Sequence, residues 1–284
     1  DKIQLKSLLK QIINNPNAMV GGIIVFVLVT IAIFAPMLSP YHPIDDANLI
    51  YAEHPPSRMF LFGTDQHGRD ILSRVIYGSR ISLSVGILCQ LLNTIIGVAL
   101  GLTAGYFGKW WDDLVMGMTN IMLSIPPLVF ALAIIAVMGP GIFNVVIAIG
   151  VTNWCYECRI TRSQVLSARS SEYVLAARAI GSRHVRIMFY EILPNVIGPI
   201  LVIASLGVGW AILLEAALSF LGLGTQPPTP SWGSMLSTAR DELIIAPWIC
   251  IFPGVSIFVT VLGLNLLGDG LRDFLDPHKR TQKR

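Results

Sequence analysis

The sequence predicts an all-α polytopic protein that crosses a membrane six times. Three observations predict it. More than half of the 284 residues are apolar and only 13% are charged, against about a quarter charged in ordinary soluble domains. Six apolar runs, at 18–38, 81–106, 114–138, 143–156, 196–223 and 248–267, alternate with polar segments. Lys and Arg are shared unevenly between alternate segments, fifteen against five. Positive residues collect on the cytoplasmic side of a membrane. Both ends and the 159–195 segment are therefore predicted to be cytoplasmic.

Residues 1–17 form a basic lead carrying Lys2, Lys6 and Lys10. The run at 18–38 has 21 residues without charge, which as a helix covers roughly 30 Å, the thickness of the hydrocarbon core. It is long for a signal-peptide core and no small-x-small cleavage site follows it. A retained first transmembrane helix is predicted.

An external polar segment, 39–79, comes next, with Pro40, Pro43, Pro55 and Pro56 early in it. Thr64 or Asp65 is placed to cap an interfacial helix beginning near Gly68, with Ile71, Leu72, Val75 and Ile76 as its apolar face. Residues 80–268 hold five further spans. Gly97, Gly101 and Gly105 make two overlapping GxxxG motifs on the first of these, and small residues let helix backbones approach closely. The 143–156 run is short and extends towards Cys155 and Cys158. Pro227, Pro228 and Pro230 stop the last external loop from becoming a span, and Trp232 and Trp248 suit an interface. In the tail, 269–284, Asp269, Arg272, Asp273 and Asp276 fall at helical spacing, where exposed pairs contribute about 0.3–0.5 kcal/mol each.

The polar stretch Glu172 to Pro194 interrupts the apolar second half. Tyr173, Ala176, Ala177 and Ile180 follow helical spacing before Gly181, and Val185, Met188, Phe189 and Ile192 follow it afterwards. Ser171 and Ser182 are each placed as an N-cap. Gly181 sits where the backbone must turn. Two short amphipathic helices joined by an elbow are predicted, projecting from the cytoplasmic face. One reading is a surface loop; the other is a docking element offering an apolar face and arginines.

The stretch resembles the EAA loop of the membrane subunits of bacterial ABC importers, with Ala176, Ala177, Gly181, Leu193 and Pro194 at the pattern's spacing. Leu175 and Glu191 stand where that pattern has glutamate and isoleucine. Gly63, Thr64, Asp65, Gly68, Arg69, Asp70, Ser73 and Arg74 resemble the GTDxxGRDxxSR signature of the dipeptide, oligopeptide and nickel branch of these permeases, and Gly78, Arg80 and Ser82 continue it. The segments SFLGLG (219–224), PSWG (230–233) and LLGDGLRD (266–273) resemble the same branch.

The resemblance implies a type I ABC importer permease fold in a bacterial inner membrane. It implies a path for a small peptide, with nickel or a metal chelate as the second substrate class. Its partners would be a second, different permease chain, two ATPase domains carrying ATP and magnesium, and an external solute-binding protein. The ATPase-coupling residues would be Glu172, Ala176, Ala177, Arg178, Ile180, Gly181, Arg183, Arg186, Leu193 and Pro194, with Ala176, Ala177 and Ile180 packing on the ATPase.

The chain contains no GxxxxGK[ST] loop, so any ATPase is expected on another chain and no cofactor in this one. No HExxH or GxSxG motif occurs, and an enzyme is not expected. His42, His54 and His67 are spaced too widely for a local metal site and read as solvated side chains. Cys155 and Cys158 form a lone CxxC, for which helix packing is expected. Glu215 is a charge well inside an apolar run, where an ionisable group points to function. It is either a packing carboxyl or part of the pathway or a subunit contact. An ion-driven secondary transporter is the competing class; a membrane scaffold without a path is the third.

Overall fold

The computed structural model describes residues 15–275. The basic lead below Asn15 and the tail beyond Leu275, with Lys2, Lys6, Lys10 and Asp276, lie outside the described residues. Every regular element among the described residues is helical.

Helix α1 (Pro16–Ile33) and a turn α2 (Ala35–Leu38) are separated at Phe34. Pro36 explains the break, since its nitrogen cannot continue the ladder. Asn15 caps α1 by accepting from the Asn17 and Ala18 amides. Helix α3 (Ile71–Phe107) has 37 residues and is the centre of the molecule. Then follow α4 (Lys109–Leu123), α5 (Pro127–Met138), α6 (Ile142–Thr152) and α7 (Trp154–Arg169). Helices α8 (Glu172–Ala179) and α9 (His184–Arg186) flank the elbow. A π-turn (Ile187–Ile192) leads into α10 (Leu193–Phe220). Helices α11 (Trp232–Thr238) and α12 (Trp248–Leu275) complete the chain.

The six expected spans are not all present as single helices. Among the described residues, four helices are long and apolar enough to cross a membrane: 16–33, 71–107, 184–220 and 248–274. Helices α4 and α5 make a fifth if taken together, bent by 89°. The expected span at 143–156 is instead two helices broken at Asn153, and α6 has only 11 residues. At 1.5 Å per residue that is about half of a hydrocarbon core.

The expected interfacial helix is also corrected. It is the first turns of α3, and its cap is Asp70, not Thr64 or Asp65. Gly68 stands at φ +68°, so a helix cannot begin there.

Packing follows the small residues. On α3, a Cβ at Gly97 would stand 2.8 Å from Glu157 Cβ and the Trp154 carbonyl. At Gly101 it would meet Cys158 O at 2.5 Å, and at Gly105 Val165 Cβ at 2.9 Å. The GxxxG face is thus the seat of α7. Cys155 and Cys158 are free and buried there among Ala104, Val115 and Trp154. On the other side, Gly21 lies against the Leu267 backbone and Gly270 against Ala18, so α1 and α12 run antiparallel in close contact.

Candidate functional site

The external signature builds a scaffold. Asp65 accepts from the amides of His67 (2.9 Å) and Arg69 (3.0 Å), and pairs with Arg69 Nε at 2.8 Å and Arg74 Nε at 3.5 Å. Arg74 also donates to the Pro43 carbonyl at 2.9 Å and reaches that of Pro228 at 3.5 Å. Asp70 accepts from Ser73 N and Oγ at 2.8 and 2.6 Å. Burial pushes the Asp70 carboxyl up in pKa, while those Ser73 bonds oppose the shift. Thr64 donates to the Tyr51 carbonyl and accepts the His54 amide; Trp248 Nε1 donates to its carbonyl at 3.2 Å. Gly63 and Gly68 take positive φ, and a Cβ on Gly68 would fall 1.8 Å from the Asn48 carbonyl. All these polar side chains are buried. The signature therefore ties the 39–70 segment to the 221–247 loop.

Of the three histidines, His42 pairs with Asp45 at 3.0 Å and His67 lies 3.2 Å from an Arg69 nitrogen. Among the described residues, no group of three His, Cys, Asp or Glu side chains is placed to hold a metal.

The elbow lies at the opposite end of α3. Gly181 has φ +78° and no atom within 4 Å of its missing Cβ, so conformation rather than crowding requires glycine there. Glu172 opens α8 and is exposed. The expected packing face is partly inverted. Ala177 and Val174 face inward onto Ile187, Met188 and Leu102, while Ala176 and Ile180, 82% exposed, face outward with Leu175 and Val185. Ser171 occupies the N-cap of α8 as expected, but without the expected hydroxyl bond to the first turn, and Ser182 is not the cap of α9. Ser171 Oγ donates back to the Ala168 carbonyl, and the cap position of α9 is Arg183.

The second elbow helix is not a separate short helix. It runs through the π-turn into α10, so Leu193 and Pro194 are the root of a long span. Pro194 supplies no N–H to the turn below it, and the wider turn accommodates its ring. Arg178 stacks over the Tyr106 ring at 5.3 Å, whose hydroxyl meets His184 Nδ1 at 2.8 Å. Arg183 and Arg186 are exposed.

Between the elbow and the external scaffold lies an open cavity of about 790 Å³. Helices α3, α7, α10 and α12 contribute to it, and the bend between α4 and α5 borders it. Most of the lining is apolar; Gln90, Asn93, Asn153, Glu157 and Arg272 are the exceptions. Glu215 is elsewhere. It is 1% exposed, held by Ser219 Oγ at 2.6 Å and Ser231 Oγ at 3.4 Å. Its own helices enclose it, so it neither lines this cavity nor reaches a subunit surface.

Over residues 97–281 the sequence matches the family described as the binding-protein-dependent transport system inner membrane component. The chain belongs to this family. Residues 4–56 also match the N-terminal transmembrane domain of oligopeptide transport permease C. A dipeptide transport system permease protein of Alkalihalophilus pseudofirmus is 47% identical, covering 96% of this chain and 89% of that one. A di/tripeptide permease of Pseudomonas aeruginosa is 43% identical over 96% and 92% of the two chains. A glutathione permease of Escherichia coli is 42% identical over 92% and 86%. None of these three names nickel or a metal chelate. The fold is also similar to a chain of the MetNI methionine ABC transporter, with TM-score 0.57 and 15% identity over 72% of this chain and 98% of that one.

This is therefore an ABC transporter permease subunit of the dipeptide and oligopeptide type, a multi-pass inner membrane component. Membership sets aside the ion-driven secondary transporter and the scaffold without a path. In this inner membrane component the sequence places Arg272 in the tail rather than the cavity and does not single out the other polar cavity side chains. A signal existed for two of them: Gln90 and Asn93 lie three residues apart, on one face, inside an apolar run. Glu157 carries no such signal, because it lies one residue beyond the 143–156 apolar run.

Proposed function

We propose that the chain forms one half of the path of an ATP-driven importer of small peptides. A solute-binding protein delivers cargo to the end built by the external signature. A second, different permease chain closes the open side of the 790 Å³ cavity. Both termini and the elbow face the cytoplasm, where two ATPase domains bind ATP and magnesium.

One observation carries the reading. The elbow exposes Leu175, Ile180 and Val185 at the end away from the scaffold, and its second helix is continuous with cavity-lining α10. A push on the elbow is thereby delivered to the wall of the cavity. Short helices such as α8 are marginal alone, and their apolar outer face supports docking in a groove. The peptide class is supported by the names of the three relatives.

The test is Gly181→Val. At φ +78° a β-branched residue is strained by about 1–2 kcal/mol or more. Nothing crowds the position, so insertion should be normal. The expected result is a subunit whose complex assembles poorly or whose ATP hydrolysis ignores loaded binding protein. Normal substrate-stimulated hydrolysis and uptake would overturn the coupling role.

A further inference from the structure

The cavity contains a carboxyl that its surroundings leave half used. Glu157 lies on the α7 face seated against α3, and its residue is 5% exposed. Its Oε1 accepts from Gln90 Nε2, and the Thr94 hydroxyl, which accepts from the same Gln90 amide at 3.1 Å, stands beside the carboxyl. Its Oε2 is buried with no hydrogen-bond partner, and so are Asn93 Oδ1 and Asn153 Nδ2. All four residues line the same cavity. Buried polar groups are nearly always satisfied, so each exception asks for a ligand or a water.

The position of Gln90 is itself fixed. A Cβ on Gly207 would stand 2.1 Å from Gln90 Oε1, so the glycine makes room for the amide against α10. Three helices thus converge to hold Gln90 against Glu157. Among the described residues no Lys, Arg or His comes within ion-pair distance of Glu157; Arg162 on the same helix is taken by Asp112. Arg272 lines the cavity but makes no ion pair with Glu157.

The geometry points to a cation-accepting subsite in this cavity, in which Glu157 Oε2 and Asn93 Oδ1 receive a protonated amine of the cargo. It rests on the reading of the cavity as the transport path. Two acceptor oxygens without donors match an ammonium, which has three N–H groups and no acceptor. Asn153 Nδ2 is left to donate to a carbonyl, such as that of the adjoining peptide unit. The amine comes either from a peptide N-terminus or from a lysyl side chain.

The test reads charge preference without requiring transport. Ile160→Cys places a thiol on the cavity face of α7, one turn from Glu157. In the assembled transporter its labelling by aminoethyl methanethiosulfonate, a primary ammonium, is compared by mass spectrometry with labelling by the sulfonatoethyl reagent. Adding Glu157→Gln should lower the cation-to-anion rate ratio by at least about fivefold, as loss of a nearby charge in a low-dielectric cavity requires. Adding Glu157→Asp should keep most of the preference. A smaller fall with Gln overturns the subsite and leaves Glu157 as a packing carboxyl.

A second arm keeps Glu157 intact, so a misfolded variant does not end the test. Millimolar Ala-Ala, N-acetyl-lysine amide and N-acetyl-Ala-Ala amide are added during labelling of the Ile160→Cys protein. Protection by the first alone identifies the N-terminal amine, and by the second alone the lysyl side chain. Equal protection by the third, or none by any, overturns the proposal. Failure of ATP-driven uptake would strike the transport reading instead, because labelling does not depend on it.

Discussion

At the scale of single residues, position decides between chemistry and structure. Glu215 and Glu157 are both carboxyls within apolar surroundings, yet they face different things. Glu215 is satisfied on one oxygen by Ser219 and Ser231, and Ser231 is the N-cap of α11. That makes it a clamp between α10 and the 221–247 loop. Glu215→Ala should leave two buried hydroxyls short of an acceptor, at about 1–3 kcal/mol. Glu215→Gln keeps an acceptor oxygen in place. The expected outcome is a lower thermal unfolding temperature of the purified complex for Ala, with Gln close to the parent. Equal melting with lost uptake in both would return Glu215 to the pathway. Gly68 shows the same logic for backbone: its turn is closed against Asn48, and no other residue type fits.

At the scale of elements, α8 is a helix with two apolar sides. Val174 and Ala177 point into the chain's own core with Ile187 and Ile192, while Leu175 and Ile180 point out. The i, i+3, i+4 pattern was legible in the sequence, but it cannot say which apolar side has a partner in the same chain. Leu175→Glu combined with Ile180→Glu should leave the subunit inserted and folded, because both side chains are exposed, and should abolish retention of the ATPase on purification. Val174→Glu should do the reverse, lowering subunit yield by burying a charge without a partner. Undiminished ATPase retention by the double variant would refute docking on this face.

At the scale of the whole molecule, two ends are distinguished by contacts. One end joins the 39–70 segment to the 221–247 loop through Arg74, and Gly141 N meets the Leu223 carbonyl there at 3.2 Å. The other end gathers the end of α3 and the elbow, through Tyr106 and His184, while Asn15 donates to Asp273 at 3.1 Å where α1 and α12 meet. Cysteine labelling should therefore reach Arg58→Cys and Thr229→Cys from outside, and Ser170→Cys only after permeabilisation. External labelling at Ser170 would invert the topology. What the sequence determined by itself is what depends on local chain chemistry: helical class, long apolar runs, the glycine elbow and the GxxxG contact face. Hydropathy and φ preferences act within a few residues and are written in the order of the chain. Only the tertiary structure decided that the 143–156 run breaks at Asn153, that Ala177 turns inward, and that Glu157 meets Gln90 beside Gly207. Those outcomes depend on which face of one helix finds room on another, and the partners are up to 117 residues apart in sequence (Gln90 to Gly207).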